Sequence, residues 1–159
     1  MNKHTLLKAI LAALQAELQT YVRAAKSARA EATDEQSRAE NKYDTRGLEA
    51  SYLAAGQARQ VVELEAAIAA FEALPVRKFG PGEVIGLGAL VELEQGGERM
   101  FYFIGPSAGG TEAKCGKQDV LVITPQSPLG GQLQGRKQGD WLNLTLGGKQ
   151  RRAHVVAVG

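Results

Sequence analysis

Five carboxylates crowd one stretch of this chain: Asp34 and Glu35, then Glu40, Asp44 and Glu49. The last three lie in AENKYDTRGLEASYLAA, between two segments rich in helix formers. Such a set can bring carboxylate oxygens to a reacting centre, or it can simply solvate a turn. Spacing bears on the choice. Asp44 and Glu49 are five residues apart, which on a regular helix is a rotation of ~500° and leaves them about 140° apart. They share no helix face, but a loop across Thr45–Gly47 would let them converge. Glu40 and Asp44 would form a like-charged i,i+4 pair, unfavourable by a few tenths of a kcal/mol if helical. Tyr43 and Arg46 sit beside them, either as contacts to a partner or, for Tyr43, as packing on the stalk.

Other chemically capable residues are scattered. His4, His154 and the single Cys115 have no zinc-ligand spacing, and one cysteine excludes an internal disulfide. Cys115 has no neighbouring histidine or helix start to activate it, so it reads as packing. GPSAGG and LGG are glycine-rich but lack the lysine of a phosphate loop. Arg136-Lys137 and Arg151-Arg152 are candidate basic contacts or solvated surface.

The elements that must carry these residues fall in two halves. No proline occurs before Pro75, and only Gly47 and Gly56 interrupt the first half. Leu7, Leu11, Leu14, Leu18, Tyr21, Ala25, Ala28 and Ala32 recur at steps of four and three, a heptad seam. A second seam reads Ala50, Ala54, Gln57, Val61, Leu64, Ile68 and Phe71, with Gln57 its one polar member. Two seams of similar length predict an antiparallel coiled-coil hairpin, on the order of 45 Å long. Both lapse over Thr33–Gly47, where the turn is expected.

Pro75, Gly80, Pro81 and Gly82 then mark a linker. ALVELEQGGERMFYFIG reads as strand, turn at Gln95-Gly96-Gly97, strand, with Val91 and Leu93 on one face and Glu92 and Glu94 on the other. Leu90 does not fit that alternation. DVLVITPQ is a more apolar strand, expected inside the sheet. SPLGGQLQGRKQGD reads as a polar turn with one short helix, and WLNLTLGGKQRRAHVVAVG as a last hairpin around Gly147-Gly148. The expected class is α+β, with a helical hairpin over 1–74 (tip near 33–49), a linker over 75–83 and a small antiparallel β domain over 84–159.

Composition agrees with a folded protein. The 159 residues are 44% hydrophobic and 23% charged, enough for one or two small cores. A net charge of +2 is too small to announce a dedicated nucleic-acid binder. The N-terminal apolar patch lacks a small-residue cleavage site and reads as a mature helix. No apolar run is long enough to span a membrane. A cytoplasmic monomer is expected, the hairpin satisfying its own seam.

At this point the chain resembles a known family. IGPSAGGTEA resembles the VGxxEAD motif of the Gre transcript-cleavage factors of bacteria, with an insertion. ITPQSPLGGQLQGRKQGD resembles their SP-x-G-x-x-L-x-G-K-x-x-G-D motif: Ser127, Pro128, Gly130, Leu133, Gly135, Gly139 and Asp140 match, and Arg136 replaces the lysine. YLAAGQARQVVELEAAI resembles the helix returning from that family's acidic tip. The resemblance covers nearly the whole chain, most firmly from Val84 onward.

The resemblance implies an FKBP-like fold for the second half without isomerase activity. It implies docking on bacterial RNA polymerase beside the secondary channel, through Ser127, Pro128, Leu129, Gly130, Arg136, Lys137 and Asp140. The hairpin would enter the channel, with Glu40, Tyr43, Arg46 and Leu48 as tip contacts. Nascent RNA or other nucleic acid would be met only inside that complex. Asp44 and Glu49 would be the catalytic carboxylates, helping to hold a second Mg²⁺ of the polymerase, a hard ion that prefers oxygen ligands. The protein would have no cofactor and no independent activity of its own. The tip departs from the family pattern. Aligned on Tyr52, Thr45 and Leu48 stand at the two acidic positions and Glu49 at the asparagine. Two roles stay open: stimulation of transcript cleavage, or a non-cleaving channel regulator that competes with other channel factors.

Overall fold

A computed structural model describes residues 1–33 and 46–159, with side chains throughout except at Ala25, Ala28, Arg29, 31–33 and 46–55. Helix α1 spans Lys3–Thr33 and α2 spans Arg46–Glu72. Six strands follow: β1 Leu90–Gln95, β2 Glu98–Ile104, β3 Glu112–Cys115, β4 Gln118–Ile123, β5 Trp141–Leu146 and β6 Lys149–Val158. A short helix, α3, spans Pro128–Leu133 between β4 and β5. The chain divides into two compact units: Met1–Ala13 with Ala69–Gly159, and Leu14–Ile68.

Both helices are built from strong helix formers. Asn2 starts α1: its Oδ1 accepts from the amides of His4 at 2.9 Å and Thr5 at 3.3 Å, satisfying donors that have no partner within the helix. Of the seam residues, Leu7, Leu14, Leu64 and Phe71 are buried. Leu6 and Ile10 are buried too, outside the seam. The first turns of α1 belong to the sheet-bearing unit, so they bury a broader stripe than a coiled-coil seam requires. Gln57, the polar seam member, has its Oε1 buried with no hydrogen-bond partner among the described residues.

The sheet runs in the order β3-β4-β2-β1-β6-β5. The hairpins expected at Gly96-Gly97 and Gly147-Gly148 are present: Gln95 pairs with Glu98, and Leu146 with Lys149. All four turn glycines have positive φ, which suits tight hairpins. The expectation of an antiparallel domain needs one correction. β2 and β4 are parallel, Phe101 through Ile104 facing Val120 through Ile123. After β2 the chain skips one strand position and forms β3 at the sheet edge. The β3–β4 hairpin then folds β4 into the gap, where it must run with β2.

Val91 and Leu93 are wholly buried as the alternation predicts. One core joins them to Phe79, Ile85, Leu129, Leu133, Leu142, Leu144 and Val155. A second knot forms where α2 ends. The Phe71 ring lies 6.3 Å from that of Phe103, tilted by 31°. Gly105 is pressed against the same ring, since a Cβ there would stand 2.7 Å from Phe71 Cζ and 2.9 Å from Val122 Cγ1.

α3 is bound to the edge strand by one side chain. Gln132 Oε1 accepts from the Thr145 amide at 2.8 Å, and its Nε2 donates to the Thr145 carbonyl at 3.2 Å. Gln132 thus does for Thr145 what a neighbouring strand would do.

Near the start of α1, Lys3 and Arg77 both lie over the Phe79 ring, at 4.7 and 3.7 Å from its centroid. Burial first, then the charge of Arg77, lowers the Lys3 ammonium from 10.5 to about 8. The unfolded chain therefore keeps this proton to a higher pH than the fold does. Stability contributed by Lys3 should rise as pH increases from about 8 toward 10.5. Tyr102, raised by burial, opposes this only once the unfolded phenol ionises near 10.0. Urea midpoints across that window should rise in the native protein and stay flatter in Lys3→Met. An identical pH slope in the two proteins would remove Lys3 as the cause.

Candidate functional site

The two regions singled out by sequence are placed unequally. Glu40, Tyr43 and Asp44 lie outside the described residues, and Arg46, Leu48 and Glu49 are described only as backbone of the first turns of α2. Because α2 begins at Arg46, Gly47 belongs to the helix and not to the expected turn. A single glycine, unfavourable by about 1 kcal/mol, is carried by the strong helix formers around it.

The Ser127–Asp140 stretch is defined in detail. Ser127 has extended backbone angles and caps α3: its Oγ accepts from the Gly130 amide at 3.0 Å and donates to the Thr124 carbonyl at 2.7 Å. Pro128 follows at the helix start, where its missing N–H leaves no bond unmade. Leu129 and Leu133 turn into the core. Gly130 is buried against the preceding turn so closely that a Cβ would overlap the Thr124 carbonyl oxygen. Gly135 has φ +81°, a left-handed angle that lets the chain leave α3. The Arg136 carbonyl accepts from the Ile85 amide at 2.6 Å, fastening this loop to the segment ahead of β1. Asp140 Oδ2 accepts from the Lys137 amide at 3.0 Å, and the Asp140 amide donates to the Lys137 carbonyl at 3.1 Å, closing the last turn.

This geometry sorts the expected docking residues. Ser127, Gly130 and Asp140 shape the backbone, and Leu129 belongs to the core. Pro128, Arg136 and Lys137 are exposed and present an apolar ring and two cations to solvent. The rest of the motif fixes the backbone on which those three side chains stand.

Sequence reasoning missed a second exposed group. Trp141 is 54% exposed and stacks on His154, ring centroids 4.4 Å apart and 16° from parallel. Arg152 lies 4.7 Å from the same indole ring. Cross-strand registry brings these together, and only the pairing of β5 with β6 reveals it. Cys115 is buried, its Sγ 3.7 Å from the Asn2 carbonyl, in keeping with a packing role. Among the described residues no three His, Cys, Asp or Glu side chains gather to hold a metal ion, and no helix is long and apolar enough to cross a membrane.

Compared with models of known protein families, the chain matches none. The transcription inhibitor protein Gfh1 of Thermus thermophilus is 34% identical to it over 123 residues, which cover 73% of this chain and 72% of that protein. The transcription inhibitor protein Gfh1 of Thermus aquaticus is 33% identical over 122 residues, covering 73% and 71%. Among solved structures, one described as the transcription factor Gfh1 covers 95% of this chain and 94% of its own, at 29% identity and a TM-score of 0.42. The GreA/GreB elongation factor of Nitrosomonas europaea covers 62% and 78%, at 22% identity and a TM-score of 0.37. The structural scores are too low to carry an argument. The sequence identity, sustained over more than two thirds of both chains, carries it alone. It agrees with the Gre resemblance of the SPLGGQLQGRKQGD stretch, and the chain belongs to the Gfh1 family of GreA factor homologues.

Proposed function

We propose that this protein docks on bacterial RNA polymerase and restrains transcription from the secondary channel without cutting RNA. The observation that carries the reading is the 34% identity to a protein named as a transcription inhibitor. The tip sequence supports it, since Thr45 and Leu48 stand where the resemblance puts the two working acids. In this reading α1 and α2 form an antiparallel coiled coil within residues 1–74, residues 75–83 link it to an FKBP-like domain over 84–159, and a cytoplasmic monomer binds. Pro128, Arg136 and Lys137 make the docking contacts, held by Ser127, Gly130 and Asp140. Glu40, Tyr43, Arg46 and Leu48 line the inserted tip.

A second reading rests on the acids that remain. Asp44 and Glu49 each sit one residue from a family acidic position. If brought together they would be the pair to hold a Mg²⁺ of the polymerase, which would supply an activated water for phosphodiester hydrolysis.

A stalled, backtracked elongation complex with labelled RNA separates the two readings. The expected result is polymerase binding, displacement of another channel factor, slower nucleotide addition and no faster release of the 3′ fragment. Faster release that disappears in the Asp44→Ala/Glu49→Ala protein would replace the inhibitory reading with cleavage. Absence of any binding to polymerase would end both.

A further inference from the structure

A cavity of about 650 Å³ opens beside the first turn of α1, between that turn and the segment 76–79. Its walls all belong to one compact unit. The charge of its lining is one-sided. Lys3, His4, Arg77 and Lys78 are there, and no Asp or Glu side chain is. One carboxylate stands close by, that of Glu83, paired with Arg77 Nη1 at 2.7 Å. The Met1 amine and the Gly159 carboxyl also line the cavity, opposite in sign, and the Gly159 oxygen already accepts from the Leu90 amide at 3.0 Å. Lys3, Arg77 and Lys78 set against Glu83 leave a surplus of positive charge, even with His4 neutral.

Two of these cations are forced together. Lys3 Nζ lies 4.7 Å and Arg77 Cζ 3.7 Å from the centroid of the Phe79 ring. Phe79 is buried in the core, so the platform under both is fixed. Lys3 Nζ donates one proton to the Arg77 carbonyl at 2.5 Å, which holds the pair close despite its like charge. The strain falls on Lys3, whose ammonium is brought down to about 8 by burial first and then by the Arg77 charge. A ligand that relieves such a pair carries two negative charges and several acceptor oxygens. Two N–H donors of Lys3, and the guanidinium donors outside the Glu83 pair, are left for it among the described residues. Both charges border the same ring, so one tetrahedral phosphate, accepting charge-assisted bonds of about 2.8 Å on opposite oxygens, reaches both.

A phosphate alone would fill a small part of this space. Cavities of roughly 300–1,000 Å³ hold organic ligands, and here Val76 and Leu90 supply apolar wall beyond the cations. A folded acidic partner would meet the exposed Arg77 and Lys78 without entering, and half-buried Lys3 would stay unanswered.

We propose that this cavity binds a small organic phosphate, its phosphate group held between Lys3 and Arg77 and its organic part lying on Val76 and Leu90. The site is distinct from the channel tip, and the proposal stands apart from polymerase binding. It carries a pH dependence of definite sign. An anion between the two cations favours the protonated form of Lys3. Binding should therefore be strong below about 8 and weaken above it, as Lys3 in the empty cavity gives up its proton.

The probes are phenyl phosphate and methyl phosphate, both dianions from about pH 7 to about pH 9, because a phosphate monoester loses its second proton near pH ~6. Calorimetry on the full chain at low salt should give phenyl phosphate a dissociation constant on the order of 1 mM at about pH 7. At about pH 9 it should bind about tenfold more weakly. Methyl phosphate, lacking the ring, should bind about tenfold more weakly than phenyl phosphate. Lys3→Met and Arg77→Gln should each lose about tenfold at about pH 7. Lys3→Arg keeps a cation at every pH used, so it should bind well and lose the pH dependence. Lys149→Ala, at the other end of β6 from Gly159, should change nothing. Each variant should keep the native circular-dichroism spectrum, since neither Lys3 nor Arg77 is fully buried. Equal binding of succinate would replace the phosphate by a dicarboxylate and sink the proposal, and equal binding of the methyl and phenyl esters would remove its organic part. A pH dependence that survives in Lys3→Arg, or binding indifferent to both Lys3→Met and Arg77→Gln, would place the anion elsewhere. Absence of binding would overturn the proposal outright. No polymerase is present, so no outcome alters the reading of the channel role.

Discussion

Gly130→Ala should lower the melting temperature of the sheet-bearing unit more than any exposed substitution in the same loop. The cause is that a Cβ at position 130 would overlap the Thr124 carbonyl oxygen and crowd the Thr124 carbonyl carbon at 2.8 Å and Ser127 Oγ at 2.9 Å. A backbone oxygen cannot rotate aside as the end of a side chain can. Either α3 moves by more than an ångström or the turn from Thr124 to Ser127 opens. Moving α3 lifts Leu129 and Leu133 from the core, and opening the turn breaks both hydrogen bonds of Ser127. Overpacking of this severity should destabilise by about 3 kcal/mol or more, which for a chain of this size is roughly 6–12 °C. Gly131→Ala is the control. Its Cβ would meet the Pro125 carbonyl at an ordinary 3.6 Å, and alanine favours the helix, so its melt should be unchanged or slightly higher. Equal melts for the two variants would show that α3 is not seated as described. If the proposed docking through Pro128, Arg136 and Lys137 holds, a polymerase-binding assay on Gly130→Ala should also lose signal, because α3 and its loop carry those three residues.

Phe71→Ala should destabilise by about 3–5 kcal/mol, the range for an aromatic ring removed from a packed interior. Phe71 is 2% exposed and sits against Phe103 where α2 meets the sheet. The ring also explains a glycine. Gly105 opens the loop after β2, and any side chain there would collide with Phe71 Cζ and Val122 Cγ1. The two positions must therefore be coupled. Gly105→Ala should be strongly destabilising alone and much less so once Phe71 is alanine, since the added methyl then enters vacated space. Urea midpoints of the two single variants and the double give the coupling energy directly. Strict additivity would mean that Phe71 and Gly105 do not share the knot.

What could be read from sequence, and what could not, follows from which forces act locally. The two hairpins were legible because Gly96-Gly97 and Gly147-Gly148 need left-handed angles and are flanked by alternating residues. The stretch Glu112–Cys115 was not legible as a strand. Glu, Ala and Lys are poor strand formers, and only pairing with β4 holds this segment extended. The parallel pairing of β2 with β4 left no local trace, since alternation looks the same in either direction. Leu90 broke the alternation of β1 for a tertiary reason. It is 9% exposed, exchanges backbone hydrogen bonds with Gly159, and shares a cavity of about 650 Å³ with Met1, Lys3 and Phe79.

The site was half legible in the same sense. The spacing of Ser127, Gly130, Gly135, Gly139 and Asp140 named the loop but not the work of each residue. A motif match does not distinguish a serine that touches a partner from one whose hydroxyl closes its own turn. The Trp141 group could not be found from spacing at all, because its members lie 11 and 13 residues apart in sequence and meet across a ladder.

The bond between Gln132 and Thr145 has a consequence for the protein at high concentration. An open sheet has two edges, and each is a template on which a foreign strand can grow. At β5 the amide of Gln132 already occupies the donor and the acceptor of Thr145, so a strand from another molecule would first have to displace it. At the opposite edge β3 is only four residues long and carries Glu112 and Lys114 exposed. β5 itself is six residues long and uncharged, so the Gln132 amide at Thr145 is its one side-chain block among the described contacts. Strand addition is thereby opposed at one border by a single side-chain amide and at the other by shortness and charge.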